Sequence, residues 1–203
     1  MSIESRSNGI TPLGDLATVR LGIAFRSRLE HDPSGAVAIL QMKDINDVTG
    51  PSYSGATRGV LPSGKADILL REGDLVLRSR GRSTGAAIVG AGAPRAILAA
   101  PLLLIRPFGV LPDFLYWFIN SNPAQSQLGS VAAGTSVQMI SAESLRGLKV
   151  PVPPVVVQER IAEIARLIRR EEELMTKVMK RRKQLANQIL MNYAYQEVKG
   201  VRR

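Results

Sequence analysis

The sequence contains no cysteine and one histidine, and both scarcities restrict the chemistry that the chain can perform. Without cysteine, neither a disulfide framework nor a thiolate metal site can form. The one histidine, His31, lies in a polar stretch, so a Cys–His dyad and a metal site built from several histidines are both excluded. A chain free of cysteine suits the reducing cytoplasm, which is the location that we expect.

Long apolar runs are missing as well. The longest one, residues 96–105, contains a proline and is too short to cross a bilayer. The first residues, Met1–Arg6, lack the pattern of a signal peptide. We therefore expect no membrane partner.

Aromatic residues make up only 4% of the sequence, whereas basic residues are in excess. The scarcity of aromatic rings argues against single-stranded nucleic acid held by base stacking. The formal net charge is +10; residues 1–155 have 15 Lys and Arg against 11 Asp and Glu, and residues 156–203 have 12 against 6. A polyanion such as DNA or RNA is therefore the leading class of partner, and the alternative is a charge that only maintains solubility.

Motifs for catalysis are also lacking. Gly81–Gly85 does not have the Gly-Lys-Ser/Thr ending of a phosphate-binding loop, and Asn122–Gln125 has only the beginning of an amino-methyltransferase motif. The acids Asp44, Asp74 and Asp113 do not have the spacing of metal ligands. We predict a chain with no catalytic residue, no metal and no cofactor of its own.

What the sequence does contain is a long stretch without helix breakers. After the Pro151–Pro154 joint there is no further proline, and no glycine occurs between Gly147 and Gly200. Apolar residues recur there at heptad spacing, which is typical of a helix that packs on another helix along its length. The predicted helix extends roughly 55–60 Å at ~1.5 Å per residue. Its seam residues are Ile161, Ile164, Ile168, Met175, Val178, Leu185 and Ile189.

Two charged residues, Glu171 and Arg182, fall on seam positions. A charge at such a position costs stability but can fix the register or orientation of the helices. An antiparallel pair of two copies would bring Glu171 of one copy near Arg182 of the other. The alternative is an amphipathic helix that lies on its own domain, but the persistence of the pattern over about four heptads favours a seam between two chains.

Residues 1–154 predict one α+β domain with a mixed, mainly antiparallel sheet and short helices, and residues 155–203 predict a long C-terminal coiled-coil-type helix with a basic tail. The predicted strands lie at 17–25, 37–42, 75–78, 86–89, 96–105 and 147–152, and the helical turns at 11–16, 114–119, 122–131 and 141–145. We interpret the aromatic residues Phe114, Trp117 and Phe118 as core.

A short basic segment, Arg78–Gly85, departs from the composition of a core. Its arginines lie among glycines and small hydroxyl residues. Arginine forks fit phosphates and guanine edges, and glycine allows the backbone to approach a duplex closely. The alternative is a solvated hairpin tip. The predicted DNA-contacting residues are Lys43, Arg78, Arg80, Arg82, Ser83 and Thr84.

Several short motifs occur in a characteristic order along the chain. They are Leu13–Leu16, Gly73–Leu77, Gly134–Ser141, Leu148–Pro154 and Gln158–Ala162. In this order they resemble the target-recognition domain and conserved helix of the specificity subunit of type I restriction–modification enzymes, over about residues 11–195. A usual subunit has two recognition domains and two helices in one chain, whereas this sequence has one of each.

The resemblance implies a DNA-reading subunit without activity of its own. In the family, each recognition domain reads half of a split DNA site, and the helices act as a spacer between two domains. Methyltransferase subunits dock on the helices and methylate an adenine with S-adenosylmethionine, and a motor-nuclease subunit can join.

Two arrangements remain open for a chain with half of the usual content. One is a homodimer joined through the C-terminal helices, which would read an inverted repeat. The other is a truncated or regulatory fragment that binds or exchanges with a full-length specificity subunit without directing methylation.

Overall fold

The computed structural model describes residues 9–25, 32–46, 49–61, 66–81, 84–132 and 139–200, and its elements confirm the predicted α+β class. The strands are β1 (Gly9–Pro12), β2 (Ala17–Leu21), β3 (Val37–Leu40), β4 (Ile45–Asn46), β5 (Gly50–Pro51), β6 (Thr57–Gly59), β7 (Leu75–Arg78), β8 (Ala86–Ile88), β9 (Ala96–Leu98), β10 (Leu102–Pro107) and β11 (Lys149–Val152). The helices are α1 (Pro112–Ile119), α2 (Asn122–Ala132), α3 (Ala142–Arg146) and α4 (Val155–Gly200). Short 3-10 turns occur at Leu13–Asp15, Met42–Asp44 and Ala66–Ile68.

The central sheet has the strand order β2-β10-β7-β8, and its neighbouring strands are antiparallel. Successive side chains of a strand point to opposite faces, so β7, β8 and β10 each contribute to two hydrophobic clusters, whereas β2 contributes to one. Leu75, Leu77 and Ile105 belong to the cluster beneath the helices, whereas Val76 and Leu104 belong to the cluster against the second sheet. The apolar runs of β7 and β10 are continuous because both faces of this sheet are covered.

The second sheet has the order β6-β3-β9, in which β3 pairs antiparallel with β6 and parallel with β9. All residues of β3 are buried, as the sequence predicts. Ala38 and Leu40 face the central sheet, while Val37 and Ile39 belong to a third cluster on the outer side. The mixed, mainly antiparallel pairing predicted from the sequence is confirmed.

A two-stranded ribbon, β1 with β11, ties the beginning of the described chain to the joint before α4. The strands are antiparallel, with Ile10 opposite Pro151. Next to the ribbon, Leu13 N donates to Leu148 O at 2.8 Å. The motifs at both ends of the domain are therefore neighbours in space. The strand that precedes α4 is β11, and its pairing with β1 fixes its position.

At both edges of the central sheet, a side chain forms hydrogen bonds with the backbone of the edge strand. At β8, the amide of Asn120 accepts from Ala86 N at 2.9 Å and donates to Ala86 O at 3.1 Å. At β2, Arg146 Nη2 donates to Val19 O at 2.7 Å. These bonds occupy backbone groups at which another strand could otherwise pair.

The Gly73–Leu77 motif combines a tight turn with a buried ion pair. Gly73 has a φ of +81°, a conformation that favours glycine. Asp74 is buried, and Arg106 Nε and Nη2 donate to its two carboxylate oxygens at 2.8 and 2.7 Å. Hydrogen bonding to Asp74 raises the pKa of Arg106. This motif is therefore structural.

The structure differs from the sequence prediction at several places: β1, β4, β5 and β6 are not predicted, and the predicted strand 17–25 ends at Leu21. Two further differences concern the core. The apolar run 96–105 forms two strands, β9 and β10, which belong to different sheets because the chain turns between them. The sequence predicts Trp117 as core, but this residue is 40% exposed, whereas Phe114 and Phe118 are buried. The reason is helical geometry: Phe114, Leu115, Phe118 and Ile119 form the buried stripe of α1, and Trp117 lies outside it.

Candidate nucleic-acid interface and helix seam

The predicted DNA-contacting residues other than Lys43 belong to the segment that runs from the end of β7 to the start of β8. Arg78 ends β7 and is half-buried. Arg80 is exposed, and its backbone forms a β-bridge with Met139. Arg82 and Ser83 lie outside the described residues. Among the predicted arginines that the structure describes, Arg80 is the one that the fold presents to solvent.

Lys43 belongs to the 3-10 turn that lies against this hairpin. A Cβ atom at Gly81, where φ is +121°, would stand 3.7 Å from the methyl carbon of Met42. The buried Asp44 carboxylate accepts a backbone N–H from the residue before the turn at 2.9 Å and so closes a capping box. Lys43 remains exposed. The fold thus brings together two turns, one with Lys43 and one with Arg80, that are far apart in sequence.

Thr84, which lies two residues before β8, has a structural contact. Its hydroxyl hydrogen-bonds to Gln125 Oε1 on α2, and its carbonyl accepts from Gln125 Nε2 at 3.4 Å. The same amide nitrogen donates to Ile119 O at 2.7 Å. Thr84 therefore fastens the hairpin to α1 and α2, and its contact with DNA stays a prediction.

The described end of the Gly134–Ser141 motif packs beside the hairpin. Ile140 is buried, and its N–H donates to Ser79 O at 2.7 Å. Residues 134–138 of this motif lie outside the described residues. The basic turn is thus supported by core contacts, as a surface needs when it must hold charged groups in place for a ligand.

The exposed cations of these two turns can donate hydrogen bonds to phosphate oxygens or to the O6 and N7 atoms of guanine. In the part of the chain that the structure describes, His, Cys, Asp and Glu form no group of three that could hold a metal ion. Within the same residues, no helix has the length and apolar character needed to span a membrane.

The helix seam is largely exposed. The chain divides into two compact units, one ending at Arg166 and one beginning at Leu167, and α4 begins inside the first. Ile161 is half-buried and packs against the cluster beneath the helices, so this seam position also serves its own domain. The other predicted seam residues are between 46% and 60% exposed: Ile164, Ile168, Met175, Val178, Leu185 and Ile189.

Sequence reasoning missed the role of Gln158. This side chain is 1% exposed; its Oε1 accepts from Leu111 N at 3.0 Å, and its Nε2 donates to Pro153 O at 2.9 Å. It therefore joins the start of α1, the proline joint and the first turn of α4. The signal was a polar residue in line with two small ones, Ala162 and Ala165, at the i+4 and i+7 positions of one helix face; both alanines are buried.

Comparisons with known proteins agree with the resemblance seen in the motifs. No protein-family model matches the chain. Over 98 residues, which are 48% of this chain and 22% of the relative, the chain is 26% identical to the type I restriction enzyme MjaVIII specificity subunit of Methanocaldococcus jannaschii. The chain thus spans well under half the length of that curated relative.

Solved structures show the same fold. The HsdS subunit from Thermoanaerobacter tengcongensis matches 84% of this chain and 39% of its own length, with a TM-score of 0.58 and 15% identity. A chain from a structural study of complex assembly in the type I R-M system matches 84% and 40%, with a TM-score of 0.63 and 17% identity. The S subunit from M. genitalium matches 83% and 41%, with a TM-score of 0.53 and 15% identity. In motif order, sequence and fold, this chain is thus similar to the specificity subunits of type I restriction–modification systems.

Proposed function

We propose that the chain is a non-catalytic DNA-recognition subunit that directs an adenine methyltransferase to a bipartite site in duplex DNA. The observation that carries the proposal is the likeness to specificity subunits in motifs and in fold. The exposed Lys43 and Arg80 on adjoining turns support it, because a duplex needs cations on a rigid surface. The chain would act in the cytoplasm. The methyltransferase would bring S-adenosylmethionine, and a motor-nuclease subunit would join where the system also restricts DNA.

The proposal includes a homodimer joined through α4. Its support is a stripe of exposed apolar residues on a helix of 46 residues, about 70 Å at ~1.5 Å per residue. A closed two-fold pair buries this stripe on both copies. Antiparallel helices separate the two recognition domains, so the DNA site would be an inverted repeat around an unspecified spacer whose length follows from the helices.

Co-expression with an adenine methyltransferase subunit of the same system tests the recognition function. Mapping of methylated adenines in the host DNA should give one bipartite motif with inverted half-sites. An asymmetric methylated motif would contradict the homodimer but keep the recognition function. No methylation beyond that of the methyltransferase alone would contradict the recognition function.

The basic turns are tested by the double substitution Lys43→Ala with Arg80→Ala. Binding to a random-sequence duplex should weaken, and the slope of log affinity against log salt should fall by about one unit for each phosphate that the variant no longer neutralises. Arg71→Ala, at an exposed arginine of another loop, is the control for loss of charge. Equal effects of the control and the double variant, compared per charge removed, would mean that these turns are not a specific DNA contact.

The dimer is tested by Ile164→Asp with Val178→Asp. These acids would be buried without partners in the pair, so light scattering should report a monomer. Thr176→Asp with Gln184→Asp adds the same charges at exposed positions off the seam and should leave the dimer intact. A monomer for the unmodified protein, alone and with the methyltransferase, would contradict the homodimer.

The second candidate function is a regulatory subunit that pairs with a full-length specificity subunit. The observation in its favour is that the chain covers only 39–41% of the solved relatives. In that case the chain would be recovered with the full-length subunit in mixed expression, and the methylated motif would be unchanged by its presence.

A further inference from the structure

An open apolar groove lies beside the first two turns of α4, inside the first compact unit. It has a volume of about 440 Å³, and apolar atoms provide almost all of its surface. Its lining includes Phe114 and Trp117 of α1, Val157 and Ile161 of α4, and Ile10 of β1. Ile10 is 74% exposed.

We infer that this groove receives Tyr193 of a second copy of the chain, from the C-terminal part of that copy's α4. The inference rests on the proposed antiparallel homodimer and adds a specific contact to it. The contact between the groove and Tyr193 would then be the outermost contact of the interface, and it would occur twice, once at each end of the helix pair.

The register of the pair leads to this contact. The seam has two alternating heptad positions: Ile161, Ile168, Met175, Arg182 and Ile189 share one, and Ile164, Glu171, Val178 and Leu185 share the other. In an antiparallel pair, residues at the first position face residues at the second. Only one alignment places the two charged seam residues, Glu171 and Arg182, opposite each other. In that alignment every other seam residue also faces an apolar or amide side chain. The facing pairs are Ile161 with Asn192, Ile164 with Ile189, Ile168 with Leu185, and Met175 with Val178.

The same alignment carries the seam into the groove. One heptad layer before Ile161, the seam position is Val157, and both residues line the groove. The second copy's helix therefore passes along the groove with the residues that follow its Asn192. Val157 and Ile161 thus belong both to the seam and to the groove, so the second helix that packs on the seam is expected to contact the groove as well.

Helix geometry then selects the side chain. The face of α4 that packs on the domain contains Gln158 and Ala165, which lie on one flank of the seam. Equivalent flanks of two antiparallel helices adjoin each other. The second copy's Tyr193 lies on this flank at the level of Gln158, toward the groove. The second copy's Tyr195 lies on the opposite flank, away from it.

The chemistry of the contact suits tyrosine. Tyr193 is 65% exposed in the chain, and Trp117 is 40% exposed. Two aromatic rings in a groove bury a large apolar area and interact favourably edge-to-face or offset. Because the groove is open on one side, the phenolic hydroxyl can remain in water while the ring is covered.

The sequence offers a spectroscopic test, since Trp117 is its one tryptophan. Tryptophan emission is followed while the full chain is diluted through the dimer–monomer transition, with sedimentation giving the dissociation constant. The emission should shift to longer wavelength as the dimer dissociates. Tyr193→Ala should abolish this shift and raise the dissociation constant roughly 10- to 100-fold. Tyr195→Ala, an equally exposed tyrosine on the other flank, should preserve the shift and change the constant less than about threefold.

Tyr193→Phe should behave as the unmodified chain, because the ring and not the hydroxyl fills the groove. A dimer that is disrupted by Ile164→Asp with Val178→Asp, but in which Tyr193→Ala and Tyr195→Ala behave alike, would overturn the groove contact and leave the homodimer standing. A chain that is monomeric at every concentration would overturn both. Since Tyr193 is exposed within one chain, its replacement is expected to leave the fold intact, and far-ultraviolet circular dichroism verifies this.

Discussion

Replacing Gln158 with Met should destabilise the domain much more than the size of the change suggests. Methionine has a similar length and helix propensity, so neither a cavity nor helix propensity contributes much. The substitution removes a pair of hydrogen bonds, from Leu111 N at 3.0 Å and to Pro153 O at 2.9 Å. An unsatisfied buried group costs about 1–3 kcal/mol, and both partners here are half-buried. After the gain from burying a more apolar side chain, the expected decrease in unfolding free energy is about 2–3 kcal/mol.

Thermal unfolding measures this decrease. A change of about 2–3 kcal/mol should lower the Tm by roughly 4–12 °C for a domain of this size. Glu159→Met is the matched control, because it introduces the same residue at the adjacent, exposed position and should change stability by no more than about 0.5 kcal/mol. Equal melting temperatures for the two variants would refute the argument that Gln158 anchors α4 to the domain.

Three further changes have expected outcomes. Asp74→Asn removes the charge that Arg106 needs and should lower the unfolding free energy by about 3–5 kcal/mol, measured by denaturant titration. Glu171→Arg should weaken the proposed dimer by placing two arginines in one layer, and combining it with Arg182→Glu should restore the dimer, measured by sedimentation. Gly22→Ala should cost about 1–3 kcal/mol, because its Cβ would lie 2.7 Å from a backbone carbonyl oxygen of β9.

Each of these has a distinct contradicting result. For Asp74→Asn, it is a denaturation midpoint within error of the unmodified protein. For the charge exchange, it is a double variant whose dimer dissociates as readily as that of Glu171→Arg alone. This result would reject the register but would not contradict the dimer. For Gly22→Ala, it is unchanged stability, which would mean that the neighbouring strand yields at little cost.

Much of the fold follows from local pattern. The continuous apolar runs of β3 and β7 indicate strands covered on both faces, and the structure confirms them. The absence of proline after Pro154 and of glycine between Gly147 and Gly200 predicts one long helix, and α4 is that helix. These signals are strong because periodicity and breakers act over a few neighbouring residues.

Contacts between distant segments could not be predicted in this way. Nothing near Asp74 in the sequence indicates that Arg106 will cover it. Trp117 is expected in the core because an aromatic residue in a helix usually lies there, yet the buried stripe of α1 passes beside it. Lys43 and Arg80 are predicted separately, and only the packing of Met42 near Gly81 relates their two turns. Such pairings depend on the topology of the sheets, which a single sequence does not encode locally.

The treatment of the sheet edges determines how the protein can associate with itself. A sheet with open edges is a template for further strands, and from there for aggregation. Here the Asn120 amide occupies the backbone of Ala86, and the Arg146 guanidinium occupies the carbonyl of Val19. Growth by strand addition to the central sheet is thereby discouraged at both ends. Asn120→Ala exposes the backbone groups of Ala86 and is therefore the change expected to favour strand addition to the central sheet, and with it fibril formation in a concentrated solution.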